Sequence, residues 1–451
     1  MAPACGKVAF VTGANGITGN AIIEHLIRQP HSEWSKIIIT SRRVPKQSLW
    51  QDHRVRFIAL DFLNPVEELI QRMAPLCHDV THAFFTSYVH TADFAQLRDS
   101  NIPLFHNFLV AIDNVAAGTL QRVCLQTGGK YYGAHLGPTE VPLHEEMGRY
   151  EDKGENFYYV QEDFLSTLSA KRTWNWNVIR PNAIIGFTPA NNGMSMALTL
   201  AIYMLCCREM GVPPVFPGNK FFFNECVEDC SYAPSIADLS VWAVTDQYTK
   251  NEAFNHQNGD VFVWKQLWSK LGQYFGIEVP EFTEWAAEGN QQRMANNFMM
   301  TEWHKGKQEV WERVVSKYGG EPEAFGWGTW DFVDWAVGKS WLTISTISKA
   351  RKFGWKRYDD TYDTYIETFR AFENAGVLPH TDVLRAEGKG RTAQATLAPH
   401  PFDAATSRLA KAKSETNSST ANGVNHNKLK NGVDNGLKNG DVENGDLAWK
   451  A

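Results

Sequence analysis

What the sequence lacks narrows its chemistry first. Its 451 residues carry no basic excess: 44 Lys and Arg stand against 50 Asp and Glu, a net charge of −6. No cationic footprint therefore points to nucleic acid. The seven cysteines are odd in number and lack the paired spacing of a metal site, so reduced thiols in a cytoplasmic protein are expected and no metal is. Cys206-Cys207 and the pair Cys226 and Cys230 read as core filler. Long hydrophobic runs are missing too. Met194 to Cys207 is apolar but too short to span a bilayer, and reads as a buried helix. Nothing resembles a secretory leader, because the first strand already begins near Lys7. A soluble protein acting on a small molecule is the expectation.

What is present starts with Val8 to Asn20, VAFVTGANGITGN. A β-rich apolar run feeds a glycine turn, and helical spacing continues to Gln29. Gly13, Gly16 and Gly19 are three apart at this junction. Glycine there permits the tight turn and lets a pyrophosphate approach the helix N-terminus where a Cβ would intervene. A strand before and a helix after are what a dinucleotide fingerprint requires. Thr12, Asn15 and Ile17 fall within the same turn.

A carboxylate is absent where NAD would need one. The second strand, Lys36 to Thr40, ends in Ser41-Arg42-Arg43. An acidic residue at that tip would hold the ribose 2′-hydroxyl, whereas arginine accommodates a 2′-phosphate. The cofactor is accordingly read as NADPH, with Arg42 the first candidate and Arg43 the second. A third strand, Val55 to Leu60, ends in Asp61-Phe62, placed to meet the adenine edge.

Strand and helix alternate through about the first 190 residues. Asp79 to Ser87, Arg122 to Gln126 and Trp176 to Ile185 read as strands, and Phe94 to Ala117 and Tyr158 to Ala170 as helices. This predicts an α/β fold: a Rossmann-type doubly wound parallel sheet with helices on both faces. Residues 191–385 turn mainly helical and aromatic, with tryptophans from Trp264 to Trp355. These suit either a core or an apolar substrate pocket, and some segments could return to the Rossmann core. From Ala386 the periodicity fades into Asn-Gly repeats, so 386–451 reads as a disordered tail.

The Tyr-x-x-x-Lys pair of ordinary short-chain dehydrogenases is also missing. Tyr158-Tyr159-Val-Gln-Glu-Asp163 offers tyrosines, but Glu162 and Asp163 stand where the lysine belongs. Lys130, in Leu125-Gln-Thr-Gly-Gly-Lys-Tyr-Tyr132, leaves a strand end on the ligand-facing rim and is the available substitute. An ordinary loop lysine and two packed rings remain the simpler reading of these three residues.

Taken in order, several motifs resemble the progesterone 5β-reductase/iridoid synthase-like (PRISE) family, an atypical extended branch of the short-chain dehydrogenases. They are TGANGITGN at 12–20, SRR at 41–43, THAFF at 81–85, LQTGGKYY at 125–132, NFYYVQED at 156–163 and VIRPNAIIGFTP at 178–189. Further stretches at 216–233, 251–268 and 348–355 extend the resemblance over about residues 6 to 375. The resemblance implies NADPH-dependent reduction of an activated C=C bond in an apolar enone or enal. Hydride goes to the β-carbon, and the developing enolate is stabilised by Tyr159 and Lys130. It places Thr86, Lys130, Tyr159 and Asn182 beside the cofactor, Lys130 holding the ribose, and Tyr88 and Asn182 in the substrate pocket. Three positions depart from the family pattern: Asn182-Ala183 after Arg180-Pro181, Gly137-Pro138-Thr139, and Tyr88 where a tryptophan is usual. All three touch the substrate side. Rival readings are a carbonyl reductase or dehydrogenase, a non-redox isomerase or cyclase, and a nucleotide-sensing module. A homodimer is left open.

Overall fold

The computed structural model describes residues 6–45, 50–90, 94–289 and 293–388. Strand β1 (Lys7–Thr12) is followed by α1 (Ile17–Arg28), β2 (Trp34–Ser41), β3 (Val55–Ala59), α2 (Val66–Cys77), β4 (His82–Phe85), α3 (Phe94–Val115) and β5 (Arg122–Gln126). After a 3-10 turn at Gly129–Tyr132 come α4 (Phe157–Ser169), β6 (Asn175–Pro181) and β7 (Ile184–Ile185). The chain continues through α5 (Met196–Met210), α6 (Lys220–Asn224), β8 (Val227–Glu228), β9 (Ser231–Tyr232), α7 (Ala233–Thr245), β10 (Glu252–His256) and β11 (Phe262–Val263). The last elements are helical: α8 (Trp264–Tyr274), α9 (Met300–Trp303), α10 (Gln308–Tyr318), α11 (Trp330–Gly338), α12 (Ser348–Phe353), α13 (Thr361–Asn374) and α14 (Thr381–Gly388).

Seven strands form one sheet in the order β10-β6-β5-β4-β1-β2-β3, and every pairing in it is parallel. Buried on both faces, its central strands are continuous apolar runs such as Ala9-Phe10-Val11 and Ile37-Ile38-Ile39, all at most 2% exposed. Helices α1 and α7 cover one face, where Ile22, Ile23, Ile236 and Leu239 meet Val11 and Ile39. Helices α2, α3 and α4 cover the other, around Phe10, Phe85, Phe108 and Leu165. The order reverses between β1 and β4, which opens a crevice at the carboxyl ends of the strands.

The sheet is not built from residues 1–190 alone. Its edge strand β10 and the helix α7 come from beyond residue 230. Phe254 of β10 is buried, and the Asn255 N–H on the outer edge donates to Glu145 Oε1 at 2.7 Å, so a loop caps that edge. A second core surrounds α5. That helix is apolar on every side (MALTLAIYMLCC) and is buried from Met196 to Cys207 among Phe216, Trp264, Trp268, Trp311 and Tyr365. Cys206, Cys207, Cys226 and Cys230 are all buried free thiols, and desolvation pushes the Cys207 and Cys226 thiols up to about 12. Regular structure runs through α14 to Gly388, so residues 386–388 are helical, and the remainder of the tail expected from 386 lies outside the described residues. Among the described residues no helix is long and apolar enough to cross a membrane.

Candidate active site

The glycine turn has a shape that side chains would destroy. Gly13 sits at φ +66°, and a Cβ there would stand 2.9 Å from the Thr86 carbonyl oxygen. A Cβ on Gly19 would stand only 2.1 Å from the Gly13 oxygen, so glycine at 19 lets α1 lie against the end of β1. Gly16 donates to the Gly13 carbonyl at 2.7 Å. It also caps α1 without a side-chain hydrogen bond, leaving first-turn N–H groups available to an anion. Thr12 works from behind. Its Oγ1 accepts from the Thr86 and Ser87 amides at 3.0 and 3.2 Å, while Thr86 Oγ1 donates to the Thr12 carbonyl at 2.6 Å.

These residues open on a cleft of about 680 Å³. Gly13, Asn15, Gly16 and Ile17 line it, as do Ser41, Arg42, Arg43, Asp61, Phe62 and Thr86. Thr12 and Gly19 do not, and their effect is on the turn's shape. At the β2 tip, Ser41 Oγ donates to the Arg43 carbonyl at 2.5 Å and Asn15 Nδ2 to the same oxygen at 3.1 Å. The tip backbone is thus pinned while Arg42 and Arg43 stay exposed. Asp61 Oδ1 accepts from the Leu63 amide at 3.1 Å. The cradle suits a dinucleotide, and the cationic tip without a carboxylate suits a 2′-phosphate.

Farther along the cleft stand Lys130, Tyr88, Tyr158 and Asn182. Lys130 follows β5, and its Nζ donates to the Tyr88 hydroxyl at 3.4 Å. Asn156, the N-cap of α4, joins two of these parts: its Nδ2 donates to the Lys130 carbonyl at 3.0 Å and its Oδ1 accepts from the Tyr158 amide at 3.2 Å. Gly129 is needed because a Cβ would fall 2.8 Å from Asn182 Oδ1, and the Tyr158 hydroxyl lies 3.6 Å from where a Gly128 Cβ would be. Asn182 Nδ2 in turn donates to the Thr343 carbonyl at 3.0 Å.

Of the two tyrosines, the structure turns Tyr158 to the cleft and Tyr159 away from it. The Tyr159 hydroxyl donates to the Tyr131 carbonyl at 2.6 Å and accepts from the Tyr150 amide at 3.2 Å. The Arg149 guanidinium covers its ring, 4.7 Å from the centroid. Tyr159, expected to meet a substrate, is therefore not among the residues lining the cleft, whereas Tyr158, about 100° away around the helix, is. The missing lysine also has an explanation. Glu162, four residues after Tyr158, ion-pairs with Arg180 of β6 at 2.8 Å, both side chains nearly buried. Arg180 also stacks on Tyr131, 3.4 Å from its centroid. The position that would hold a lysine anchors α4 to the sheet instead.

Burial sets the charge states. It raises the Tyr158 phenol well above its ordinary value and pushes Tyr88 up to about 12. It lowers the Lys130 ammonium, and burial together with Lys130 holds His135 down to about 4. Two neutral phenols beside a lysine make a set of hydrogen-bond donors.

The opposite wall comes from the helical region: Met196 of α5, Phe262 of β11, Trp264 of α8, and Phe332, Trp335 and Ala336 of α11. At its base Lys339 ion-pairs with Glu228 at 3.3 Å, both side chains buried. Asp229 beside it accepts from the Ser345 amide and hydroxyl at 2.7 and 2.9 Å. No motif in the sequence singled out Glu228, Lys339 or Tyr365, which are scattered over more than a hundred residues. Among the described residues His31, Asp52 and His53 bring ligand atoms within 4.8 Å of one another. Both Asp52 oxygens are engaged by Arg54, however, and none of the three lines the cleft.

Comparison with known proteins agrees with this architecture. The sequence model of the PRISE-like Rossmann-fold domain matches residues 9–326. A short chain dehydrogenase, gsfE, of Penicillium aethiopicum is 42% identical over 383 residues, spanning 83% of this chain and 99% of that protein. The 3-oxo-Delta(4,5)-steroid 5-beta-reductase of Arabidopsis thaliana is 34% identical over 81% of this chain and 92% of its own. An (S)-8-oxocitronellyl enol synthase of Catharanthus roseus is 30% identical over 83% and 92% respectively. Among solved structures, UDP-glucose 4-epimerase of Thermotoga maritima superposes with a TM-score of 0.55 at 15% identity, covering 81% of this chain and 99% of its own. That is a likeness of fold. The chain belongs to the PRISE-like Rossmann-fold family, an oxidoreductase family of the short-chain dehydrogenase/reductase type.

Proposed function

We propose that the protein is an NADPH-dependent reductase of an activated C=C bond, acting on an apolar enone or enal. The observation that carries this reading is the convergence of Lys130, Tyr88 and Tyr158 in one cleft, between the glycine turn and an aromatic wall. The names of two relatives, a steroid 5-beta-reductase and an enol synthase, support the same reaction class.

Gly13 and Gly16 would admit the pyrophosphate, Ser41, Arg42 and Arg43 the 2′-phosphate, and Asp61 with Phe62 would flank the adenine. NADPH, when bound, supplies hydride for the β-carbon. Tyr158 takes the role that the sequence resemblance gave to Tyr159. A phenol raised by burial stays protonated near neutral pH, so Tyr158 donates a hydrogen bond to the substrate carbonyl oxygen without surrendering its proton. The Lys130 ammonium biases the surroundings positive as negative charge grows on that oxygen. Such preorganised donors in a water-poor site are worth about 10²–10³ in rate each. The protein need supply no further acid, since water can protonate an enolate carbon.

The test is a panel of enones and enals with NADPH or NADH, followed at the NADPH absorbance with product analysis. A saturated carbonyl product formed faster with NADPH is expected. An allylic alcohol would make the protein a carbonyl reductase, and product without NADPH consumption would make it an isomerase.

A further inference from the structure

Tyr88 lines the cleft beside Lys130, and its hydroxyl accepts from Lys130 Nζ at 3.4 Å. Neither that hydroxyl nor the one on Tyr158 donates its proton to a described residue. Tyr132 and Tyr159, packed in the same aromatic cluster, do otherwise: each donates at 2.6 Å, to Asn255 Oδ1 and to the Tyr131 carbonyl. Tyr88 is half-buried and Tyr158 is 8% exposed, so both keep some surface within the cleft. Two cleft-lining phenols therefore hold their protons for something outside the fold.

The backbone on either side of Tyr88 is fixed. The Ser87 amide donates to Thr12 Oγ1 at 3.2 Å, and the Val89 amide and carbonyl pair with the Asn101 side chain of α3 at 3.0 and 2.9 Å. Asn101 is buried, and its own carbonyl accepts from Gln161 Nε2 of α4 at 2.8 Å. One buried amide network thus ties the segment carrying Tyr88 to the helix carrying Tyr158. The Tyr88 ring also packs near Phe157, the residue before Tyr158, with 6.0 Å between centroids. After burial, the nearness of Tyr88 is the second influence that raises the Tyr158 phenol. An oxygen gaining negative charge has lone pairs for two donors, and donors fixed in advance need no reorganisation when the charge appears. A phenol that accepts from an ammonium also donates more strongly itself.

We propose that Tyr88 and Tyr158 form a two-phenol clamp on one substrate oxygen, with Lys130 strengthening the Tyr88 donor. This rests on the reductase reading and deepens it: the enolate oxygen accepts two hydrogen bonds while both phenols keep their protons. Tyr88 is a position where the chain departs from its family's pattern, so the second phenol is a feature of this chain.

The test uses the full chain. Tyr88→Phe deletes the hydroxyl alone, and Tyr88→Trp installs the ring usual in the family. Each should lower kcat for an enone about 10²-fold, with KM, NADPH affinity and melting temperature nearly unchanged. A readout independent of turnover is binding of 4-nitrophenol with NADP+ present, because its visible colour reports the ionised form. Wild type should bind it as the phenolate, an anionic oxygen on an apolar ring. Tyr88→Phe and Tyr158→Phe should each weaken that binding about ten- to a hundredfold, the worth of a hydrogen bond to a charged group. A Tyr88→Phe variant equal to wild type in rate or in phenolate affinity would overturn the clamp. So would a wild type that binds no phenolate, or a rate loss matched by a loss of melting temperature. If no enone is reduced while phenolate affinity falls in both variants, the reductase reading fails and the clamp stands. If enones are reduced but phenolate binding ignores Tyr88, the clamp fails and the reading stands.

Discussion

Removing one hydroxyl from each adjacent tyrosine should produce opposite defects. In Tyr159→Phe the Tyr131 carbonyl and the Tyr150 amide both lose their partner. The abandoned buried Tyr131 carbonyl costs about 1–3 kcal/mol and the half-buried Tyr150 amide less, so the variant should lose roughly 1–4 kcal/mol of stability and several degrees of melting temperature. Its cleft is untouched, so turnover per folded molecule should stay within a factor of about two, since no group facing the substrate is lost. Tyr158→Phe removes a donor that serves the cleft. Its melting temperature should barely move, while kcat falls about 10²–10³-fold, equivalent to roughly 3–4 kcal/mol of transition-state stabilisation. Calorimetric melting and NADPH oxidation on the same preparations measure both quantities. A Tyr158→Phe variant that keeps its rate, or a Tyr159→Phe variant that loses rate without losing stability, would refute the assignment.

Further outcomes follow from other parts of the site. Arg42→Ala should lower the NADPH-over-NADH ratio of kcat/KM by about one to two orders of magnitude, the worth of a charge-assisted hydrogen bond; an unchanged ratio would move the selectivity elsewhere. Gly19→Ala should abolish measurable NADPH binding by calorimetry, because its Cβ would fall 2.1 Å from the Gly13 oxygen. Burial raises Asp229 to about 7, well above an unfolded carboxyl near ~3.9. The native state then binds the extra proton, so this group's stabilisation is full below the unfolded value and is lost as pH rises toward 7. The loss is roughly 4 kcal/mol over that interval. Asp229→Asn should flatten this part of the melting-temperature profile between about pH 5 and 7, and a profile identical to wild type would remove Asp229 as its source.

The cofactor end was largely legible because its signals are local. A parallel strand buried on both faces writes a continuous apolar run, and the glycine turn and arginine tip each fit within a few residues. Strand β10 was not legible in the same way. Its sequence EAFNH is half polar, and Asn255 is tolerated there because its side chain accepts from the Tyr132 hydroxyl at 2.6 Å and donates to the Leu143 carbonyl. The choice between Tyr158 and Tyr159 depends on how α4 is rotated, which the Glu162–Arg180 pair and the Arg149 stack help set across the fold. The far wall gathers Glu228, Trp264, Lys339 and Tyr365 from separate elements, so no window of sequence contains it.

The late arrival of β10 and α7 has a consequence for taking the protein apart. The chain leaves the sheet after β6, builds part of the aromatic core with α5 and α6, and returns to the sheet before finishing that core. A fragment ending at residue 190 would expose the unsatisfied edge of β6 and the bare apolar flank of α1, an invitation to pair with other molecules. Neither half is a cassette that could be grafted onto a different partner. New specificity has to be reached by substitution within the wall, because the scaffold that frames the nucleotide cleft and the scaffold of the aromatic wall are interleaved along the chain.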